Sequence, residues 1–221
     1  MRRLLTGVCF LLVLAPAAVA SKDAAPPTCT RNSSYPVPGA LQLDGSRTGV
    51  TTVAEPVDYY RVYGNTVAQI LRQAAMCAPA VVAGYLAYAS WYFNWSFLAG
   101  RLPDGNCKLT SVAVGVHTAE VLPRWTPGPS AAGGLAQKWT KFAGALATHE
   151  QGHLQRAVQG AQKILHDMQS MGEVSCTTLN SSVNGVGQRD LNAITETERQ
   201  YDVQTDHGAT QGAVLAGVLG G

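Results

Sequence analysis

Large apolar and histidine side chains recur through the second half of the chain at alternating steps of four and three. Leu135, Trp139, Phe142, Leu146, His149 and His153 thereby share one face of a helix. No proline follows Pro129, so the pattern predicts a single long helix over residues 135–171, stopped at Gly172. The first half has a different rhythm. Residues 57–63 are β-branched and aromatic and predict a strand, Gly64 and Asn65 end it, and residues 66–76 are amphipathic and predict a helix. Residues 85–97 and 107–122 predict two further strands. Between them, Pro103-Asp104-Gly105-Asn106 suits a turn, so the pair reads as an antiparallel hairpin. Residues 190–202 predict a last helix carrying several polar side chains. Together these elements predict an α+β domain over residues 57–212, with a small antiparallel sheet packed on the long helix and on a C-terminal helix. Upstream, residues 21–56 are rich in Pro, Ser, Thr and Gly and predict an extended lead-in. Residues 213–221 predict a flexible Gly/Ala-rich tail.

The N-terminus changes the compartment. Arg2 and Arg3 precede an apolar run over residues 4–14, and Ala18-Val19-Ala20 supplies a small-residue cleavage site, so residues 1–20 predict a signal peptide and a mature chain starting at Ser21. The apolar run is short for a membrane span, and no stable insertion is expected after cleavage. Secretion or a periplasmic location follows. Losing Arg2 and Arg3 takes the basic residues from 16 to 14, against 14 acidic ones, which leaves a formal net charge of zero. A neutral chain without a Lys/Arg cluster lacks the electrostatic footprint of a nucleic-acid or anionic-membrane binder. Cys9 leaves with the peptide, and Cys29, Cys77, Cys107 and Cys176 remain, an even number in an oxidising compartment. Three pairings are open. Cys107–Cys176 is preferred because both flank the ordered middle of the chain, which leaves Cys29–Cys77. No C-x-x-C pair points to a cysteine metal site.

The chemistry lies in His149-Glu150-Gln151-Gly152-His153. Histidines four apart project from one helical face, so both imidazoles can bind one metal ion while the intervening carboxylate points at a water on it. Zinc suits two neutral imidazoles with an open water position, and Glu150 is placed to act as general base and then acid. A third ligand is required. The pattern H-E-x-x-H-x-x-G-x-x-H fails, since Gln159 stands at its last position. A glutamate from a later helix is one solution, with Glu173, Glu196 and Glu198 available and none singled out by spacing. The stretch Tyr201-Asp202-Val203-Gln204-Thr205-Asp206-His207-Gly208 is another, gathering a histidine, two carboxylates and a phenol before a glycine. His207 is the preferred third ligand and Asp202 the alternative. Asp202 or Asp206 can instead orient the imidazoles, and Tyr201 is the candidate oxyanion donor. His117 and His166 read as surface or half-buried histidines. Trp91, Tyr92, Phe93 and Trp95 read as strand packing before they read as a substrate groove. Gly144, Gly152 and Gly160, eight residues apart, offer close approach to another helix, although a chain this rich in Ala and Gly also produces such spacing by composition.

These residues resemble the predicted bacterial secreted Zn-dependent proteases, a domain family of largely unassigned biology. The likeness covers roughly residues 57–212. It rests on Tyr59-Tyr60-x-Val62-x-Gly64-x-Thr66, on Trp139 and Leu146 leading into His149-Glu150-Gln151-Gly152-His153, and on Tyr201-Asp202-x-x-Thr205-x-His207-Gly208. The resemblance implies a zincin-like metallopeptidase and strengthens the choice of His207, while leaving His207, Asp202 or a glutamate to complete the shell. The expectation is a secreted zinc metallopeptidase acting on peptide or protein substrates. Its rivals are a zinc amidase or peptidase for cell-wall peptides and a non-catalytic binding protein with a structural zinc.

Overall fold

The computed structural model describes residues 35–79, 82, 85–127, 131 and 133–214. The signal-peptide reading and Cys29, the expected partner of Cys77, lie outside them. Among the described residues, five strands and three α-helices follow in the order β1 (Gly49–Ala54), β2 (Asp58–Gly64), α1 (Val67–Cys77), β3 (Tyr88–Arg101), β4 (Asn106–Pro127), α2 (Leu135–Gln169), β5 (Val174–Ser175) and α3 (Leu179–Thr205), with a single 3-10 turn at Ala209–Gln211 after them. The α+β class stands, and each predicted element is present.

The sheet is built on β4. The predicted hairpin pairs β3 with β4 antiparallel from Tyr88↔Val121 to Arg101↔Cys107, turning where Gly105 takes φ +89° and Asp104 Oδ1 accepts from the Asn106 N–H. On the other edge of β4, β1 and β2 run parallel to it, one after the other, and β5 adds a short antiparallel pair. The sheet is therefore mixed, where the sequence predicted an antiparallel one. β1 also lies within the segment read as a lead-in.

Burial explains that segment. Alternate side chains of β4, Val112, Val114 and Val116, face the helices and pack with Ala157, Ala161 and Ile164 of α2 and Val183 and Ile194 of α3. The opposite face carries small residues and His117. Gly115 lies against Leu41 and Leu43, Asn94 bonds the backbone of Leu41, and Ser111 bonds the carbonyl of Gly45. The described residues 39–48 lie over this face of the sheet, so β4 is buried on both faces, the setting of a continuous apolar run.

A second core joins α1 to the start of α2. Thr66 caps α1 by accepting from the Gln69 N–H, and Ile70, Ala74 and Cys77 pack with Tyr60, Val62, Leu135, Phe142 and Leu146. The apolar stripe of α2 is core from Leu135 to Leu146 and runs into His149 and His153, which are also buried. Cys107 and Cys176 form the preferred disulfide, tying the start of β4 to the turn before α3. Among the described residues no helix is long and apolar enough to cross a membrane.

Candidate metal centre

Two glycines set the distance between α2 and α3. A Cβ on Gly152 would overlap the phenol of Tyr201, and one on Gly160 would lie 2.6 Å from Ile194 Cδ1. Gly144 has open space around it, so two of the three regularly spaced glycines allow close approach and the third does not.

The approach brings Glu198, Tyr201 and Asp202 of α3 onto His149, Glu150 and His153 of α2. The two Nε2 atoms are 3.3 Å apart. Asp202 Oδ1 is 3.3 Å from His149 Nε2 and 3.0 Å from His153 Nε2. Ligand atoms about 2.0–2.1 Å from a tetrahedral metal stand about 3.3 Å from one another, so the triangle has the size of one face of such a shell. His149, His153 and Asp202 form the group able to hold a metal ion.

The other ring nitrogens are fixed from behind. His149 Nδ1 meets Gln211 Oε1 at 3.0 Å, and His153 Nδ1 makes a short hydrogen bond with the buried carboxylate of Glu198. Both acceptors place the proton on Nδ1 and leave the Nε2 lone pairs facing Asp202. Burial lowers the pKa of His149 and favours its neutral form. Burial acts the same way on His153, but the Glu198 hydrogen bond and the charges of Asp202, Glu198 and Glu150 outweigh it and raise its pKa.

Tyr201 is a wall of the site. Its ring stacks on His149 with centroids 5.0 Å apart, meets His153 edge-on at 4.9 Å, and has the Arg156 guanidinium 3.5 Å from its centroid. Its hydroxyl donates to the His149 carbonyl at 3.3 Å and accepts from Gln211 Nε2 at 3.1 Å.

A cavity of about 780 Å³ opens beside the centre, bounded by Tyr85, Trp91, Leu146, His149, Glu150 and His207 among others. Glu150 is 7% exposed. Burial, chiefly, pushes its carboxyl up to about 7; the charges of Glu120 and Asp202 add to this, while His153 and the Ala89 N–H act against it.

The sequence candidates separate clearly. His149, Glu150 and His153 come together as the motif requires, and Asp202 joins them. His207 lies at the cavity wall with Nδ1 3.8 Å from Asp202 Oδ1 and is not in the metal-holding group. Glu198 reaches the site through His153, whereas Glu196 pairs with Arg199 and Glu173 is exposed. Asp206 caps the end of α3. His117 is held by Glu55 and Gly39 away from the centre, and His166 is exposed. Of the β3 aromatics, Phe93 is core, Trp95 packs on Gly187, and Trp91 stacks at 6.5 Å on His153 and lines the cavity. Gln211 and the buried Glu120 carried no sequence signal.

A helix-borne His-Glu-x-x-His pair, closed by an aspartate from a second helix and open to a cavity beside a buried glutamate, defines the class of site: a candidate metal centre with an adjacent acid–base group. The chain belongs to the family described as "Bacterial protein of unknown function (DUF922)", whose sequence model matches residues 57–208. Compared with curated proteins and with solved structures, it has no match.

Proposed function

We propose that this protein is an exported zinc-dependent metallopeptidase in which His149, His153 and Asp202 hold the zinc and Glu150 is the general base. The observation that carries this reading is the convergence of two Nε2 atoms and one carboxylate oxygen, at the spacing of a zinc shell, beside Glu150 on the wall of a cavity. Two imidazoles and a carboxylate are a donor set that zinc takes readily. Zinc held by these three residues would supply Lewis acidity, making water nucleophilic near neutral pH.

The chain's own residues do the rest. Glu150 takes a proton from water as the water oxygen bonds to the substrate carbonyl carbon and the π pair moves onto the carbonyl oxygen. The same carboxyl then passes its proton to the leaving nitrogen as the C–N bond breaks, which returns Glu150 to its starting state. Glu198 and Gln211 hold the imidazoles in the ligating tautomer, and Tyr201 fixes the plane of His149. Export is supported by the leader-like N-terminus and the Cys107–Cys176 disulfide. The cavity beside three donors favours a catalytic site over the closed four-ligand shell of a structural zinc.

The test is zinc content of the purified mature protein, alongside hydrolysis of a mixed peptide library and of cell-wall peptides. Wild type is expected to bind one zinc and cleave. Glu150→Gln should keep the metal and lose cleavage, and Asp202→Ala should lose the metal. A protein that holds zinc yet cuts none of these amides would overturn the peptidase reading.

A further inference from the structure

The turn that ends α3 is built in an uncommon way. Asp206, His207 and Gly208 take φ of 48°, 50° and 82° in succession, a conformation that side chains bearing a Cβ adopt at a cost. The surroundings fix it. The His207 N–H donates to the Asp202 carbonyl at 2.8 Å, the Ala213 N–H to the Gly208 carbonyl at 3.0 Å, and the Gly208 N–H to Thr205 Oγ1 at 3.3 Å. Gly208 is pressed against His149, where a Cβ would lie 2.9 Å from Cγ. The backbone under His207 is therefore rigid and registered on a metal-ligand residue.

The side chain it presents is not used by the fold. Among the described residues the His207 ring makes no hydrogen bond; its nearest charged group is Asp202 Oδ1, 3.8 Å away, and its side chain is half exposed. Its position is nevertheless defined, since the Tyr85 ring packs on it with centroids 5.3 Å apart. Both rings line the cavity that holds Glu150. An imidazole held at a cavity wall, with only a long contact from Nδ1 to Asp202 and no hydrogen bond among the described residues, is equipped to donate to a ligand, and strained backbone of this kind concentrates at functional sites. Tyr201, by contrast, spends its hydroxyl on His149 and Gln211.

We infer that His207 is a catalytic residue that donates a hydrogen bond to the substrate carbonyl oxygen as negative charge develops there, and that it is not a metal ligand. The inference rests on the peptidase reading. It requires no further reactant, because the electron pair on that oxygen comes from the carbonyl bond attacked by water, and His207 keeps its proton.

Zinc titration and peptide cleavage by wild type, His207→Ala, His207→Gln and Asp202→Ala separate the possibilities. His207→Ala should bind zinc within about threefold of wild type while kcat falls about 10²–10³-fold with little change in KM, and the Gln amide should restore part of that loss. Asp202→Ala should lose zinc outright. Melting of the zinc-free variants checks the fold, which a half-exposed ring without hydrogen bonds does not hold together. A tenfold or greater weakening of zinc binding in His207→Ala would make His207 a ligand and overturn the inference, as would a kcat within threefold of wild type. Failure of the peptidase reading looks different: wild type itself binds zinc and cleaves nothing, and the inference then fails with it.

Discussion

The same substitution, glycine to alanine, should stabilise the protein at one position of α2 and fail to do so at another eight residues on. Alanine is favoured over glycine inside a helix by about 1 kcal/mol, largely because glycine loses more backbone freedom on folding. At Gly144, which is exposed with no neighbour in the way, that gain should appear nearly whole, as about 0.5–1 kcal/mol of added stability. At Gly152 the new methyl would occupy the space of the Tyr201 phenol, with Cζ 2.6 Å and Cε1 2.9 Å from it. The ring has little room to yield, because His149 stacks on it and the Arg156 guanidinium lies over it. Overpacking of this kind costs about 1–3 kcal/mol, so after the helical gain Gly152→Ala should be neutral to about 2 kcal/mol less stable than wild type. For a domain of this size, Tm moves about 2–4 °C per kcal/mol. The assay is thermal and urea unfolding of zinc-free protein, so that metal binding does not mask the difference. A Gly152→Ala variant at least as stable as Gly144→Ala would refute the packing argument.

Other predictions follow from the same contacts. Glu198→Gln should weaken zinc binding about 10–100-fold, read by chelator competition, because the buried carboxylate behind His153 sets its tautomer and basicity; unchanged affinity would remove that role. Glu120, only 3% exposed, has its carboxyl pushed up by burial from 4.5 to about 6. The folded state thus holds its proton more tightly than the unfolded state, and stability falls as pH rises through that window. The cost, absent below about 4.5 and complete above about 6, is of the order of 2 kcal/mol, so Glu120→Gln should gain most over wild type at pH 7 and least at pH 4.5 in urea unfolding.

What the sequence disclosed about the fold follows from the range of the interactions involved. The α2 stripe and the β3–β4 hairpin depend on neighbours within a few residues or on one short turn, and both were legible. The parallel pairing of β1 and β2 was not, because it is decided by residues some sixty positions away on β4. The first half of α3 was missed for a related reason. Residues 179–189 are mostly Asn, Ser and Gly with weak helix propensity, and the helix persists because Val183 enters the core, Gly187 accepts the Trp95 ring, and Asn184 Oδ1 accepts from Trp95 Nε1. The Trp95 contacts come from β3, and the core that Val183 enters is built by β3, β4 and α2.

The site divides along the same line. His149, Glu150 and His153 need only helical phase within one turn, which is why the motif could be read directly. Choosing between Asp202 and His207 needed the phase of α3 to be carried to its end. Glu198, Tyr201, Asp202 and Thr205 stand at positions i, i+3, i+4 and i+7 and face α2 together, so a helix continuing to Thr205 aims Asp202 at the motif histidines. His207 stands beyond the left-handed break at Asp206, where helical phase no longer predicts direction. Its place on the cavity wall is set by the turn and by Tyr85. The sequence pattern ends the helix at residue 202 and favours His207 over Asp202 as the third ligand. Three more residues of helix would have separated the aspartate that meets the histidines from the imidazole that borders the cavity.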